Sequence, residues 1–186
     1  MKHEYYTFHD YNQSVDSGYY VRMFVQWVNH KTGKLTYMVV RDAHTDPKTY
    51  EIKIRRFIAI DDCGNIINPM IVEGQIHGGL TQGLAPALFE ELIYDEDGNI
   101  LNGSLMDYLV PTAVETPNWE TDQTVTPSPH HPLGAKGVAE SPTVGAPPAI
   151  ANAVIDALSH LGVESMGIPI TPFKVWQVLK DKGLAA

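Results

Sequence analysis

Eight of the 13 prolines lie between Pro111 and Pro148, and that clustering constrains the fold more than any other feature of the chain. A proline has no backbone N–H, so it cannot donate to a sheet ladder or within a helix interior. Regular structure across this stretch is expected only at Glu120 to Val125, where the spacing is strand-like. The stretch also holds His130-His131, Gly134, Gly137 and Gly145. It is neither low in complexity nor rich in charge, so it reads as an ordered, buried loop of the kind that carries function. Pro147-Pro148 reads as the opening of a helix with Ile150, Val154, Leu158 and Leu161 on one stripe, ended by Gly162.

The first 60 residues point to sheet. Tyr19 to Val28 and Leu35 to Ala43 are rich in aromatic and β-branched residues, with turn signals at residues 29–34 and at Asp46-Pro47. From Tyr50 to Ile60 the pattern begins as an alternation, Tyr50, Ile52 and Ile54 against Glu51, Lys53 and Arg55. An antiparallel β-meander with helices on one side follows, an α+β fold. Residues 1–18 have little pattern and read as an arm before a single domain over residues 19–186. Asp61 to Asn65 reads as a turn, and Asn68-Pro69 as N-cap and first helical position. Asp97-Gly98 signals a hairpin between Glu91 to Tyr94 and the segment from Ile100. Thr171-Pro172 caps a last amphipathic helix, through Lys180, that carries Phe173, Val175, Trp176 and Leu179.

Charge and composition exclude several classes. With 13 basic and 22 acidic residues the net charge is −9, which argues against nucleic acid as a partner. No apolar run approaches the roughly 18 residues of a membrane span. Met1 to Tyr11 has no signal-like core, and the single cysteine, Cys63, excludes an internal disulfide framework. A soluble, cytoplasmic protein with a core of its own is expected.

The helical segment from Met70 to Leu92 contains Gly74, Gly78, Gly79, Gly83 and Pro86. Each interior glycine costs about 1 kcal/mol against alanine, so something must offset it. Gly79, Gly83 and Ala87 form one i, i+4, i+8 row, and Gly74 and Gly78 a parallel one. Such rows serve either tight helix–helix packing or close approach of a ligand. Gln75 and Gln82, seven apart, share a face and could reach a polar ligand. Glu140 stands among small and apolar neighbours, where burial would suit it to proton transfer; the plainer reading is a solvent-facing loop glutamate. Lys136, in a Gly-x-Lys-Gly setting, is either a phosphate-holding or a surface lysine, and P-loop spacing is absent. His77, His130, His131, Cys63, Asp61 and Asp62 are ligand types without metal-site spacing, so no metal site is expected. Cys63 reads as a small buried residue.

Four ordered motifs carry a resemblance. They are Asp61 to Pro69, Glu73 to Gly83, Thr126 to Pro132 and Gly134 to Pro142, followed by Thr171 to Trp176. Together they resemble the C-terminal end of the molybdenum-binding large subunit of the xanthine oxidase and aldehyde oxidase family, with wording closest to carbon monoxide dehydrogenase-like members. The resemblance covers about residues 55 to 180, and the first 50 fit it less well. It implies that Glu140 is the catalytic base and that Gln82 is a cofactor-side glutamine. It also places Gln75, Lys136, Gly137 and Val138 in cofactor-proximal segments. The implied cofactor is molybdopterin with molybdenum, in its cytosine dinucleotide form, with iron–sulfur clusters and FAD on partner subunits. The family's copper-ligating cysteine lies on an upstream loop, so Cys63 does not take that role. The family's subunit is several times longer. An upstream part of that subunit is therefore an expected partner, and the chain alone is expected to hold no cofactor and to form a homo-oligomer. The alternative is a non-catalytic assembly or binding module that keeps the fold. A third reading is a small metal-dependent hydrolase using His130, His131 and the Asp61-Asp62 pair.

Overall fold

The computed structural model describes residues 19–28, 35–45 and 49–185, with side chains from residue 49 onward. The expected arm and the two turns at 29–34 and 46–47 lie outside the described residues. Strands β1 (Tyr19–Val28), β2 (Leu35–Thr45) and β3 (Ile52–Asp61) pair antiparallel in order. Strand β4 (Trp119–Gln123) joins the free edge of β3 in parallel, Phe57 facing Trp119 and Asp61 facing Gln123. The sheet is therefore mixed, not the expected antiparallel meander. The reason lies in the connection. A parallel neighbour needs a crossover, not a hairpin, and here helix α1 (Pro69–Leu88) and the loop behind it supply one.

The expected alternation along β3 holds for its first half, where Ile52 and Ile54 are half-buried and Lys53 and Arg55 exposed. From Phe57 the opposite face is buried: Phe57, Ala59 and Asp61 point inward. Phe57 meets the Trp119 ring edge-on at 5.1 Å. Arg56 grips the Glu120 carboxylate on the same strand pair. Trp119 also donates its indole N–H to Thr81 Oγ1 at 3.2 Å, so β4 is fastened to both β3 and α1.

Helix α1 starts as expected. Asn68 Oδ1 accepts from the Ile71 N–H at 3.2 Å, and Pro69 takes the position where a missing N–H costs nothing. Helix α2 (Glu140–Leu158) does not start at Pro147; it begins at Glu140 and contains Pro142, Pro147 and Pro148. Pro142 falls in the first turn, where N–H groups have no intrahelical partner. Pro147 and Pro148 leave the carbonyls of Thr143 and Val144 without their i+4 donors. Burial offsets that loss, because Ala146, Ala149, Ile150, Ala153, Val154, Ala157 and Leu158 are all at most 2% exposed. A short 3-10 turn and Gly162, at φ 77°, end this segment. Helix α3 (Pro172–Asp181), capped by Thr171, adds Val175 and Leu179 to the same core. The Asp97-Gly98 turn forms, but its flanks make only a single bridge, Tyr94 to Ile100.

The expected buried loop is largely exposed. Between Pro111 and Ala139, Gly134 is the one fully buried residue. The stretch has too few apolar side chains to bury, and backbone hydrogen bonds to the turn after β3 hold it instead.

Candidate active-site face

The two glycine rows of α1 have opposite fates. A Cβ on Gly79 would lie 2.6 Å from Pro142 Cγ and 3.0 Å from Ala139 O. One on Gly83 would lie 2.8 Å from Ala146 Cβ and 2.9 Å from Thr143 O. This row is helix–helix packing, and the carbonyl that Pro147 leaves free is the one pressed on Gly83. A Cβ on Gly74 or Gly78 would meet nothing within 4 Å. That row, with Gln75 and Gln82, forms an exposed stripe of amides and bare backbone along α1.

The close approach of α2 brings its first turn to this stripe. Thr143 Oγ1 lies 3.5 Å from Gln82 Oε1 and 3.4 Å from Ala139 O. Glu140 is three residues before Thr143, hence on the same side of α2. Of the two readings of Glu140 from its neighbours, the structure bears out the exposed one and not the buried one, but on a helix and not in a loop: Glu140 is the first residue of α2, whose buried side begins at Pro142. A negative side chain is favoured at this end of a helix.

The segment before Glu140 is pinned by the turn after β3. Gly64 and Ala135 form a bridge, Lys136 N–H donates to Cys63 O at 2.7 Å, and Asn65 N–H donates to Gly134 O at 3.0 Å. Gly64 has φ +69°, and a Cβ there would lie 2.2 Å from Gly134 O, so only glycine fits. Asp62 is the hub. Its Oδ1 accepts from the N–H groups of Gly64 and Thr126, each at 3.0 Å, and pairs with Lys136 Nζ at 2.8 Å. Burial would raise this carboxyl, but Lys136 and the two N–H groups outweigh it and hold it well below the usual carboxylate range. The Lys136 ammonium is thus already paired within the chain, and a phosphate would have to compete with Asp62 for it. Gly137 is exposed with open space on its side-chain side, and Val138 packs partly on the core. Cys63 is 4% exposed, and burial pushes its thiol up, as suits an inert core residue.

His130 and His131 are exposed, and among the described residues no three His, Cys, Asp or Glu side chains are grouped to hold a metal ion. Nothing in the sequence points to Thr143, and Asp61 and Asp62 stand there only as metal-ligand types, not in the roles they have here. Asp62 organises the loop, Thr143 reaches Gln82, and Asp61 accepts a short hydrogen bond from Ser141 Oγ. The only signal for the roles of Asp61 and Asp62 was their adjacency in a turn.

Residues 4–117 match the molybdopterin cofactor-binding domain family. The chain is 60% identical over 140 residues to the carbon monoxide dehydrogenase large chain of Hydrogenophaga pseudoflava, covering 75% of this chain and 17% of that one. Reconstituted CO dehydrogenase from Oligotropha carboxidovorans superimposes with a TM-score of 0.75 at 52% identity, over 81% of this chain and 18% of that one. Quinoline 2-oxidoreductase from Pseudomonas putida 86 gives a TM-score of 0.75 at 41% identity, over 79% and 19%. The chain therefore spans less than a fifth of the relatives it matches. The family match runs from residue 4, so residues 4–50, which fit the resemblance less well, fall inside it. Fold, motifs and relatives agree: the chain belongs to the molybdopterin cofactor-binding domain family.

Proposed function

We propose that this chain forms the C-terminal part of the molybdenum-binding subunit of a molybdopterin-dependent hydroxylase acting on an aldehyde, a heterocycle or carbon monoxide, with Glu140 as its base. One observation carries the reading. The row Gly79 and Gly83 lets α2 come so close that the turn bearing Glu140 stands beside the exposed stripe of Gly74, Gln75, Gly78 and Gln82.

The stripe fits a flat, polar group. Bare glycine backbone lets such a group approach, and the two amides can donate and accept hydrogen bonds. A molybdopterin bound here would supply two-electron oxidation with oxygen transfer. Gln75 and Gln82 would hold its polar edges, and Gly74, Gly78 and Gly137 would leave room for it. Lys136 and Val138 keep the loop in place through Asp62 and the core. The Glu140 carboxylate would take up the proton released as substrate is oxidised, a role worth about 10²–10⁴-fold in rate. In this reading the exposure of Glu140 belongs to this chain taken singly, and the rest of the subunit closes over it. The dinucleotide form of the cofactor and iron–sulfur and FAD partner subunits go with the same reading.

Co-expression with the remainder of such a subunit tests it. Gly78→Leu fills the open row and is expected to lower molybdenum and released pterin per chain at least fivefold, with the fold unchanged by circular dichroism. The 186-residue chain by itself is expected to carry neither. Full loading of the Gly78→Leu variant would remove the stripe from the cofactor site, and would favour an assembly role for this face.

A further inference from the structure

Asp61 is the charged-type side chain most deeply buried among the described residues, at 4% exposure. Its Oδ1 is bonded to Ser141 Oγ, and its Oδ2 is buried without a hydrogen-bond partner. Ser141 Oγ also lies 3.0 Å from Val138 O. A buried carboxyl with one unpaired oxygen is costly, and more so when charged. The chain keeps it at the end of β3, on the side facing the residue next to Glu140. Helix α2 has no side-chain N-cap, since Ala139 occupies that place. The Asp61–Ser141 bond therefore ties the first turn of α2 from outside the helix, beside the long 3.5 Å contact of Thr143 with Gln82.

We propose that Asp61 is a positioning residue, which through Ser141 Oγ locks the first turn of α2 and so sets the direction of Glu140. Ser141 Oγ donates to Asp61 Oδ1, and the same hydroxyl lies 3.0 Å from Val138 O, so it sits between β3 and the segment before the helix. Burial pushes the Asp61 carboxyl up, against the smaller lowering effect of Ser141. The lock thus depends on hydrogen bonding and not on charge. Asparagine, whose amide oxygen also accepts from Ser141 Oγ, should preserve it.

The consequence for catalysis rests on the proposal that Glu140 is the base; the consequence for the helix does not. In the 186-residue chain, amide exchange at Val144 and Gly145, which close the first turn onto Glu140 and Ser141, reads the lock directly. Asp61→Ala and Ser141→Ala are each expected to speed that exchange at least tenfold, the double variant no more than either, while Asp61→Asn stays within threefold of wild type and amides at the centre of α1 do not move. In the assembled, molybdenum-loaded enzyme, Ser141→Ala should lower kcat per molybdenum at least tenfold with KM little changed, and Asp61→Asn should retain it. Unchanged exchange in Ser141→Ala overturns the lock, and it does so even if Asp61→Ala fails to fold. Exchange in Asp61→Asn as fast as in Asp61→Ala overturns the hydrogen-bond assignment. Glu140→Gln in the same series separates the two ideas. If it turns over normally, the base assignment fails whatever the exchange shows; if it is inactive and Ser141→Ala is normal, only the positioning role fails.

Discussion

Gly83→Ala and Gly78→Ala, five residues apart on one helix, should change stability in opposite directions. Both substitutions remove the conformational freedom of glycine in the unfolded chain and gain about 1 kcal/mol of helix propensity. At Gly78 nothing lies within 4 Å of the new methyl group, so the gain stands. At Gly83 the methyl group would sit 2.8 Å from Ala146 Cβ, 2.9 Å from Thr143 O and 3.0 Å from Pro147 Cδ. None of the three can rotate away: one is a backbone carbonyl, one a proline ring carbon and one a Cβ fixed to its own Cα. The helices must part by about 0.5–1 Å, which loosens the Leu80, Leu84, Ile150 and Val154 contacts; overpacking of this kind costs about 1–3 kcal/mol. Three contacts at or under 3.0 Å put that cost in its upper part, about 2–3 kcal/mol, so the net expectation is a loss of about 1–2 kcal/mol for Gly83→Ala. At roughly 2–4 °C per kcal/mol for a chain of this size, Tm should fall by about 2–8 °C for Gly83→Ala and rise by about 2–4 °C for Gly78→Ala. Thermal unfolding followed by circular dichroism, with urea midpoints as a check, measures both. A Gly83→Ala chain as stable as wild type, or a Gly78→Ala chain destabilised to the same degree, would refute the assignment of one row to packing and the other to an open face.

The remaining expectations follow from charge and exposure. Asp62 has a depressed folded-state pKa, so its contribution is present above the ordinary aspartate range and is lost as pH falls below that range; Asp62→Ala should cost about 2–3 kcal/mol at neutral pH and flatten the acid limb of a stability–pH curve. Asp61 has the opposite sign: its protonated form suits the fold, so its contribution is complete below the ordinary range and declines as pH rises through it, and Asp61→Asn should flatten that decline in the same urea titrations. Leu105, Met106 and Val114 are 83–90% exposed, which promotes association. The chain at tens of micromolar should scatter as a homo-oligomer, and a monodisperse monomer would contradict this.

What the sequence disclosed and what it hid have physical causes. Local rules located the Asn68-Pro69 start of α1, the Thr171 cap of α3 and the Gly162 stop, because capping depends on a few neighbouring residues. The parallel pairing of β4 was not legible, since pairing direction depends on how the chain between Asp62 and Asn118 crosses the sheet. Prolines normally break helices, so local rules place the start of α2 at Pro147; its true start rests on burial against Gly79 and Gly83, a tertiary effect. The two glycine rows were visible as spacing, but only packing could tell which was filled. The neighbours of Glu140 leave a buried and a solvent-facing loop position both open; the chain sets it exposed, at a helix start that depends on tertiary packing. Asp61 and Ser141 are 80 positions apart, and no local pattern could join them.

The central claim is that Glu140 moves the proton in a molybdenum-dependent oxidation. Its most direct test is turnover per molybdenum of Glu140→Gln in the assembled enzyme, with molybdenum quantified in both forms and an aldehyde as substrate. The side chain is exposed and heads a helix, so the substitution should alter stability by only about 0.3–1 kcal/mol and leave metal content unchanged. The account predicts that kcat falls by about 10²–10⁴-fold or more. Turnover per molybdenum within twofold of wild type would contradict it.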